Sequence, residues 1–384
     1  IQITGLFSGV SLTDIAFDPH DGLLYAASYL DPGAVLAVDP QTGSVVANIS
    51  VGADPTALAF DSTHDRIYVA NYGTLYQNGT TVSVISDSTN AVVANVNVGA
   101  DPGGLAFDQS NGRVYVANSL DGTVSVIDTA SESVVATVTV GSYPCAVAYD
   151  SSNGDVYVVN QVDGTVSVID SGSNGVVATI PVGSTPQRAA FDPVNQDVYV
   201  TFSGGVGSGV AIIDGSSNTL SSTLAFGTPM GIAYDSTLNA MFVTNEGNAT
   251  ISQIDASTNS VAATYGVGPS PFGVAFDQSD GLIYATGAGS NTIYVVSPSQ
   301  VAQTTTTSTA SSTSASTPTA TTAASSTSTT GGGSTATTGS STTSPGGTPP
   351  AGGVPDLAYA AVGVVVVLLL LFVFARSRRQ TQKK

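Results

Sequence analysis

The stretch Val114–Asp128, VYVANSLDGTVSVID, returns almost unchanged at Val156–Asp170 as VYVVNQVDGTVSVID. A chain written in copies of about 42 residues must fold as copies of one small unit, and this period constrains the architecture more than any other feature. An aromatic followed by Asp recurs at Phe17, Phe60, Phe107, Tyr149, Phe191, Tyr234 and Phe276, with spacings of 43, 47, 42, 42, 43 and 42. Eight residues after each stands a second aromatic, from Tyr25 and Tyr68 through to Phe242 and Tyr284. Each copy holds four short alternating or β-branched runs between Gly, Asn and Asp turns; the third reads GGLAFD, RVYVAN, TVSVID and VVATVTVG. Such runs are antiparallel strands, and four of them per period make one propeller blade. A lone blade has two apolar faces and must stack on neighbours.

The residue before each key aromatic is alanine, at Ala16, Ala59, Ala106, Ala148, Ala190, Ala233 and Ala275. Neighbours on a strand point to opposite faces, so the aromatic of one blade is expected to lie over the alanine of the next, large against small. The seventh copy ends after its third strand, and the segment before Gly9 has the offset of a fourth strand. Residues 1–8 are therefore expected to complete blade 7 and close the ring, which leaves no broken edge. The expected fold class is all-β: a seven-bladed β-propeller of four-stranded antiparallel blades over residues 1–300.

After the repeats the composition collapses to Ser, Thr, Gly, Ala and Pro over residues 301–353. Such a tract cannot bury enough surface to offset its ordering entropy, and it reads either as an O-glycosylated stalk or as a plain flexible spacer. A single transmembrane helix is expected at 354–375, with the uncharged run LAYAAVGVVVVLLLLFVFA of 357–375 as its core. At about 1.5 Å per residue that core matches a bilayer. The basic tail RSRRQTQKK of 376–384 belongs in the cytoplasm by the positive-inside rule, which places the propeller outside the cell. A start at Ile1 rather than Met fits a removed leader. Before residue 376 the 27 acids face only Arg66, Arg113 and Arg188, so nucleic acid is a poor partner.

The segments YVAN, YVVN and VTN, with VG-x-x-P-x-x-x-AFD and VSVID, make residues 1–299 similar to the YVTN β-propeller repeats of archaeal surface-layer and YncE-like cell-surface proteins. The resemblance implies the propeller fold and an envelope setting; it implies no activity, since that family is defined by architecture.

The catalytic inventory is thin. His20 and His64 fall in first-to-second-strand turns, Glu132 and Glu246 are the only glutamates, and Cys145 is the single cysteine, which excludes an intrachain disulfide. No cluster has metal-ligand spacing along the chain, no catalytic residue is assigned, and no cofactor or metal is expected. The many aspartates follow the repeat and read as turn-shaping acceptors, with calcium in loops such as DQSNG and DPHDG as the alternative.

Function is expected where the copies disagree. Fourth-to-first-strand links and second-to-third-strand loops share one mouth of a propeller. Just inside it one column holds Thr13, Thr56, Gly103, Cys145, Gln187, Met230 and Phe272. The next holds Asp14, Ala57, Gly104, Ala146, Arg188, Gly231 and Gly273, so Asp14 and Arg188 are charges in a ring of small residues. They are candidate ligand contacts or, more plainly, mouth electrostatics. Nearby lie Glu246 and the second-strand-end asparagines Asn71, Asn118, Asn160 and Asn245, which are candidate contacts or loop caps. Cys145 reads as a small buried hydrophobe. Sequons at Asn48, Asn78 and Asn248 are expected to be exposed and glycosylated.

These features point to a single-pass membrane protein whose ectodomain binds surface-layer or other envelope proteins, or surface glycans. The alternatives are a passive lattice component and an anchored propeller enzyme of lactonase, lyase or quinoprotein-dehydrogenase type. With no tryptophan and no inward histidine, the enzyme reading lacks its usual chemistry.

Overall fold

A computed structural model describes residues 2–4, 11–29, 32–204 and 207–298. Seven four-stranded antiparallel sheets form blades 1 to 6 over residues 12–50, 55–97, 102–139, 144–181, 186–225 and 229–266, and blade 7 over 271–296 plus 2–4. Blade 3 is typical, with strands Pro102–Asp108, Arg113–Asn118, Thr123–Asp128 and Ser133–Thr139 running outward from the axis. The first strands of successive blades touch all the way round, blade 7 against blade 1 included. The alternation seen in the sequence is the burial pattern of these strands: second and third strands are buried on both faces, whereas the outermost strands alternate exposed and half-buried residues.

Closure comes from the chain start. Strand Gln2–Thr4 pairs antiparallel with Thr292–Val296 in the register Gln2↔Tyr294, Ile3↔Ile293 and Thr4↔Thr292. Ile3 and Ile293 join one apolar cluster that spans blades 7 and 1. Gly43, in the left-handed region at φ +67°, lies under Ile3, where an added Cβ would come within 3.3 Å of its side chain.

The core is a set of seven seams. Each apolar cluster draws on two adjacent blades, and each contains one of the seven alanines with one key aromatic. The direction is opposite to the expected one: Phe60 of blade 2 packs with Ala16 of blade 1, and Phe17 of blade 1 with Ala275 of blade 7, so each aromatic meets the alanine of the preceding blade. The second aromatic is fully buried, and its hydroxyl ties blades together. Tyr25, Tyr115, Tyr157 and Tyr199 donate to Asn90, Asn174, Asn218 and Asn259, each in the third-to-fourth-strand turn of the following blade, and Tyr68 donates to Glu132 in the same slot. Phe242 stands where the next blade has no such turn, because blade 7 takes its fourth strand from the chain start.

The stalk at 301–353, the membrane helix at 354–375 and the basic tail at 376–384 lie outside the described residues. Among the described residues no helix is long and apolar enough to cross a membrane.

Candidate functional site

Every first strand carries a register shift at its start, between Leu12 and Asp14 in blade 1 and between Pro186 and Arg188 in blade 5. A bulge of this kind breaks the pairing and re-aims side chains. In all seven blades it falls on the two variable columns, which is why these positions escape the repeat. The second column lines an axial cavity of about 180 Å³ that receives residues from all seven blades. Small side chains are required there by close approach of the strands: a Cβ on Gly104 would sit 2.6 Å from the Cα of Ala146, and one on Gly273 2.8 Å from the Cα of Asp14.

Asp14 and Arg188 are the only charged residues lining that cavity among the described residues. The structure thus brings together two side chains 174 positions apart in the chain. No salt bridge within 4.0 Å joins them. Asp14 Oδ2 accepts the Leu58 N–H at 3.1 Å from the neighbouring blade. Burial deep inside the ring pushes its carboxyl above the ordinary range, and the nearby Arg188 charge pulls the other way without prevailing. The Arg188 guanidinium reaches towards blade 7, 5.8 Å from the centre of the Phe272 ring, and Nη1 donates to the Gln187 carbonyl at 3.4 Å. A guanidinium has five N–H donors, and the Gln187 carbonyl is the one acceptor that the Arg188 side chain meets among the described residues.

The asparagines lie elsewhere. Asn71, Asn118, Asn160 and Asn245 are buried inside their blades, and each Nδ2 donates to two hydroxyls of the third strand, as Asn118 does to Thr123 and Ser125. Asn118 also accepts the N–H of Gly99 at 3.1 Å. This is the loop-cap arrangement, and it leaves these side chains no free surface to offer a ligand. Glu246 opens a short 3₁₀ turn, Glu246–Asn248, at the mouth. Burial alone raises its carboxyl, so it stands apart from the Arg188 charge.

The first column stitches neighbouring inner strands. Thr13 donates to the Pro55 carbonyl and Thr56 to that of Gly103, and the Cys145 thiol points at the Gln187 carbonyl, 3.4 Å away. In blades 5 and 6, where the column holds Gln187 and Met230, the second strand supplies the hydroxyl: Thr201 donates to the Met230 carbonyl and Thr244 to that of Phe272. Burial pushes the Cys145 thiol up to about 12, so it is a packing residue rather than a nucleophile.

On the opposite face the repeated aspartates shape turns. The carboxylate after each key aromatic accepts a backbone N–H two residues on, from His20 to Asp18 through to Ser279 to Asp277. The half-buried Asp39, Asp128, Asp170, Asp214 and Asp255 are held below the usual carboxylate range chiefly by hydroxyls of the next turn, such as Ser131 on Asp128. His64 is less isolated than a turn residue need be, since its Nδ1 lies 2.9 Å from Asp61 Oδ2 and 3.2 Å from Thr129 Oγ1.

A feature not legible in the sequence appears at the mouth. The second-to-third-strand turns of blades 2, 3 and 4 expose Leu75, Tyr76, Leu120 and Val162, with Tyr76 97% accessible. The insertion in blade 2 is a lengthened hairpin of strands Arg66–Thr74 and Gln77–Ser86, with Leu75 and Tyr76 at its tip. Asn78 lies beside that tip within the third strand of blade 2 rather than in a loop. Asn48, Asn78 and Asn248 are all exposed.

No family model matches the chain, and no curated protein matches it. Among solved structures it is similar to hydrazine synthase of Kuenenia stuttgartiensis, with a TM-score of 0.68 at 20% sequence identity over 77% of this chain and 98% of that one. Hydrazine synthase is an enzyme, but a likeness this remote in sequence carries the fold alone: the two chains share a β-propeller.

Proposed function

We propose that the chain is a membrane-anchored cell-surface binding protein of the YVTN repeat type, whose propeller mouth recognises envelope proteins or surface glycans. The observation that carries this reading is the mouth itself. It combines an axial recess holding Arg188 and Asp14 with a rim of exposed apolar side chains at Leu75, Tyr76, Leu120 and Val162. Exposed aromatic and aliphatic side chains and a half-buried arginine are what binding surfaces concentrate, whereas the opposite face uses its carboxylates to shape turns. The uncharged run 357–375 followed by a basic tail supports the anchor, and the Ser/Thr tract supports a spacer that lifts the head from the membrane.

The test is made on intact cells. A protease added outside should release the propeller, and a photo-crosslinker at Leu120 should capture envelope neighbours that the same probe at Val135, on the outer strand of blade 3, does not. Arg188→Ala should reduce that capture. An ectodomain shielded from external protease, or equal capture from both probes, would contradict the reading.

A further inference from the structure

Three departures from the repeat converge at one seam. In blade 2 the aspartate that ends the third strand of blades 1 and 3 to 6 is replaced by Ser86, and an aspartate appears one residue later, at Asp87. The corresponding slot in blades 3 to 6 holds the small residues Thr129, Ser171, Gly215 and Ala256. Asp87 is therefore carried inward, between blades 1 and 2, and its side chain is only 2% exposed. Asp65 occupies a left-handed turn position, φ +53°, that is glycine in blade 1 at Gly22 and in blade 3 at Gly112. His20 stands where the other blades place Ser, Thr or Val, such as Ser110, whose hydroxyl caps its own turn.

The fold brings these three together although His20 and Asp87 are 67 residues apart. His20 Nδ1 lies 2.6 Å from Asp87 Oδ2 and 3.9 Å from Asp65 Oδ1, and the three atoms all fall within 4.8 Å of one another. A buried carboxylate is costly without a cation, yet among the described residues no Lys or Arg pairs with Asp87, and Asp18 and Asp21 add further negative charge beside it.

We propose that His20, Asp65 and Asp87 form a site for one divalent transition-metal ion of the zinc class, which staples blade 1 to blade 2 on the face opposite the mouth. Zinc takes imidazole nitrogen and carboxylate oxygen at about 2.0–2.2 Å, which puts ligand atoms about 3–4 Å apart. Two of the partners already suit that spacing, and the short His20–Asp87 contact opens as the ion replaces the proton shared between them, which passes to solvent. Asp87 is the fixed anchor, while His20 and Asp65 are 55% and 44% exposed and can turn onto an ion arriving from solvent, with water completing the shell. The imidazole selects a zinc-like ion over calcium, which prefers oxygen alone. The neighbouring seam lacks the set: His64 meets the single carboxylate of Asp61 and a threonine hydroxyl. The proposal is independent of the function assigned to the mouth.

The experiment uses the untagged full-length chain, stripped with chelator and titrated calorimetrically with zinc ion, with cobalt as a spectroscopic stand-in and calcium as competitor. One equivalent of zinc should bind, raise the unfolding temperature and resist calcium. His20→Ala and Asp65→Asn should each weaken binding at least ~10-fold, the range seen when a metal's supporting groups are lost. His64→Ala should bind as the parent does. Asp65→Asn keeps a residue that tolerates the left-handed turn, so its readout does not depend on refolding the buried Asp87. Sub-stoichiometric zinc, binding unchanged by His20→Ala, or equal displacement by calcium would overturn the proposal.

Discussion

The Tyr157 hydroxyl donates to Asn218 Oδ1 at 2.5 Å, joining the second strand of blade 4 to the outer turn of blade 5. The tyrosine is fully buried, and Asn218 holds a left-handed backbone at φ +53°. Tyr157→Phe should cost about 1 kcal/mol, since the acceptor it abandons is half open to water. Asn218→Ala should cost about 2 kcal/mol or more, because alanine loses the bond and also resists the turn. Chemical denaturation of the two single variants and the double variant checks this, with a coupling of about 1 kcal/mol expected between them.

Asp14 sets a pH dependence. Its carboxyl is raised in the folded protein by burial, so folding favours the protonated form. The stability this group permits is complete below the unfolded carboxylate range and is lost as pH rises through the folded value. Asp14→Asn cannot ionise and can still accept the Leu58 amide. The variant should therefore be more stable than the parent at neutral pH, with the difference closing in acid. Arg188→Ala removes the one charge that opposes the rise and should steepen the parent's loss. Unfolding temperatures of the three proteins across the acid-to-neutral range provide the measurement.

Cys145 should be silent in the native state. Burial raises its thiol to about 12, and its sulfur faces the carbonyls of the next blade. Thiol reagents at pH 8 should label it only after denaturation. Cys145→Ser should fold with a change within about 1 kcal/mol, because Thr56 makes the same contact with a hydroxyl in blade 2.

The sequence reveals the strands of each blade and the positions that vary between blades. Aromatic spacing locates the strands, the alanine slot locates the seam residues but not which blade each meets, and the variable columns locate the lining of the axial cavity. It failed on relations between blades. His20 looks like a lone turn residue because its partners come from turns 45 and 67 positions on, brought over it by the stagger of adjacent blades. The same stagger reversed the aromatic–alanine pairing. Loop position puts the four asparagines near the mouth, whereas side-chain direction points them at third-strand hydroxyls within the same sheet. Nor does spacing reveal the bulge that aims Asp14 and Arg188 inward, since a register shift leaves no period behind.

All of this requires that the amino-terminal strand complete blade 7, for only a closed ring puts Asp14 of blade 1 and Arg188 of blade 5 on one lumen. Thr4 and Thr292 are directly opposed across that junction and both reach solvent, and the native thiol of Cys145 is too deeply buried to compete. The most direct measurement is disulfide formation in the Thr4→Cys/Thr292→Cys variant under mild oxidation, followed by its unfolding temperature with and without reductant. A cross-link that forms readily and raises the unfolding temperature by closing a loop of nearly the whole propeller is the predicted result. A variant whose new thiols stay free in the folded protein would mean that the ring is closed by some other segment.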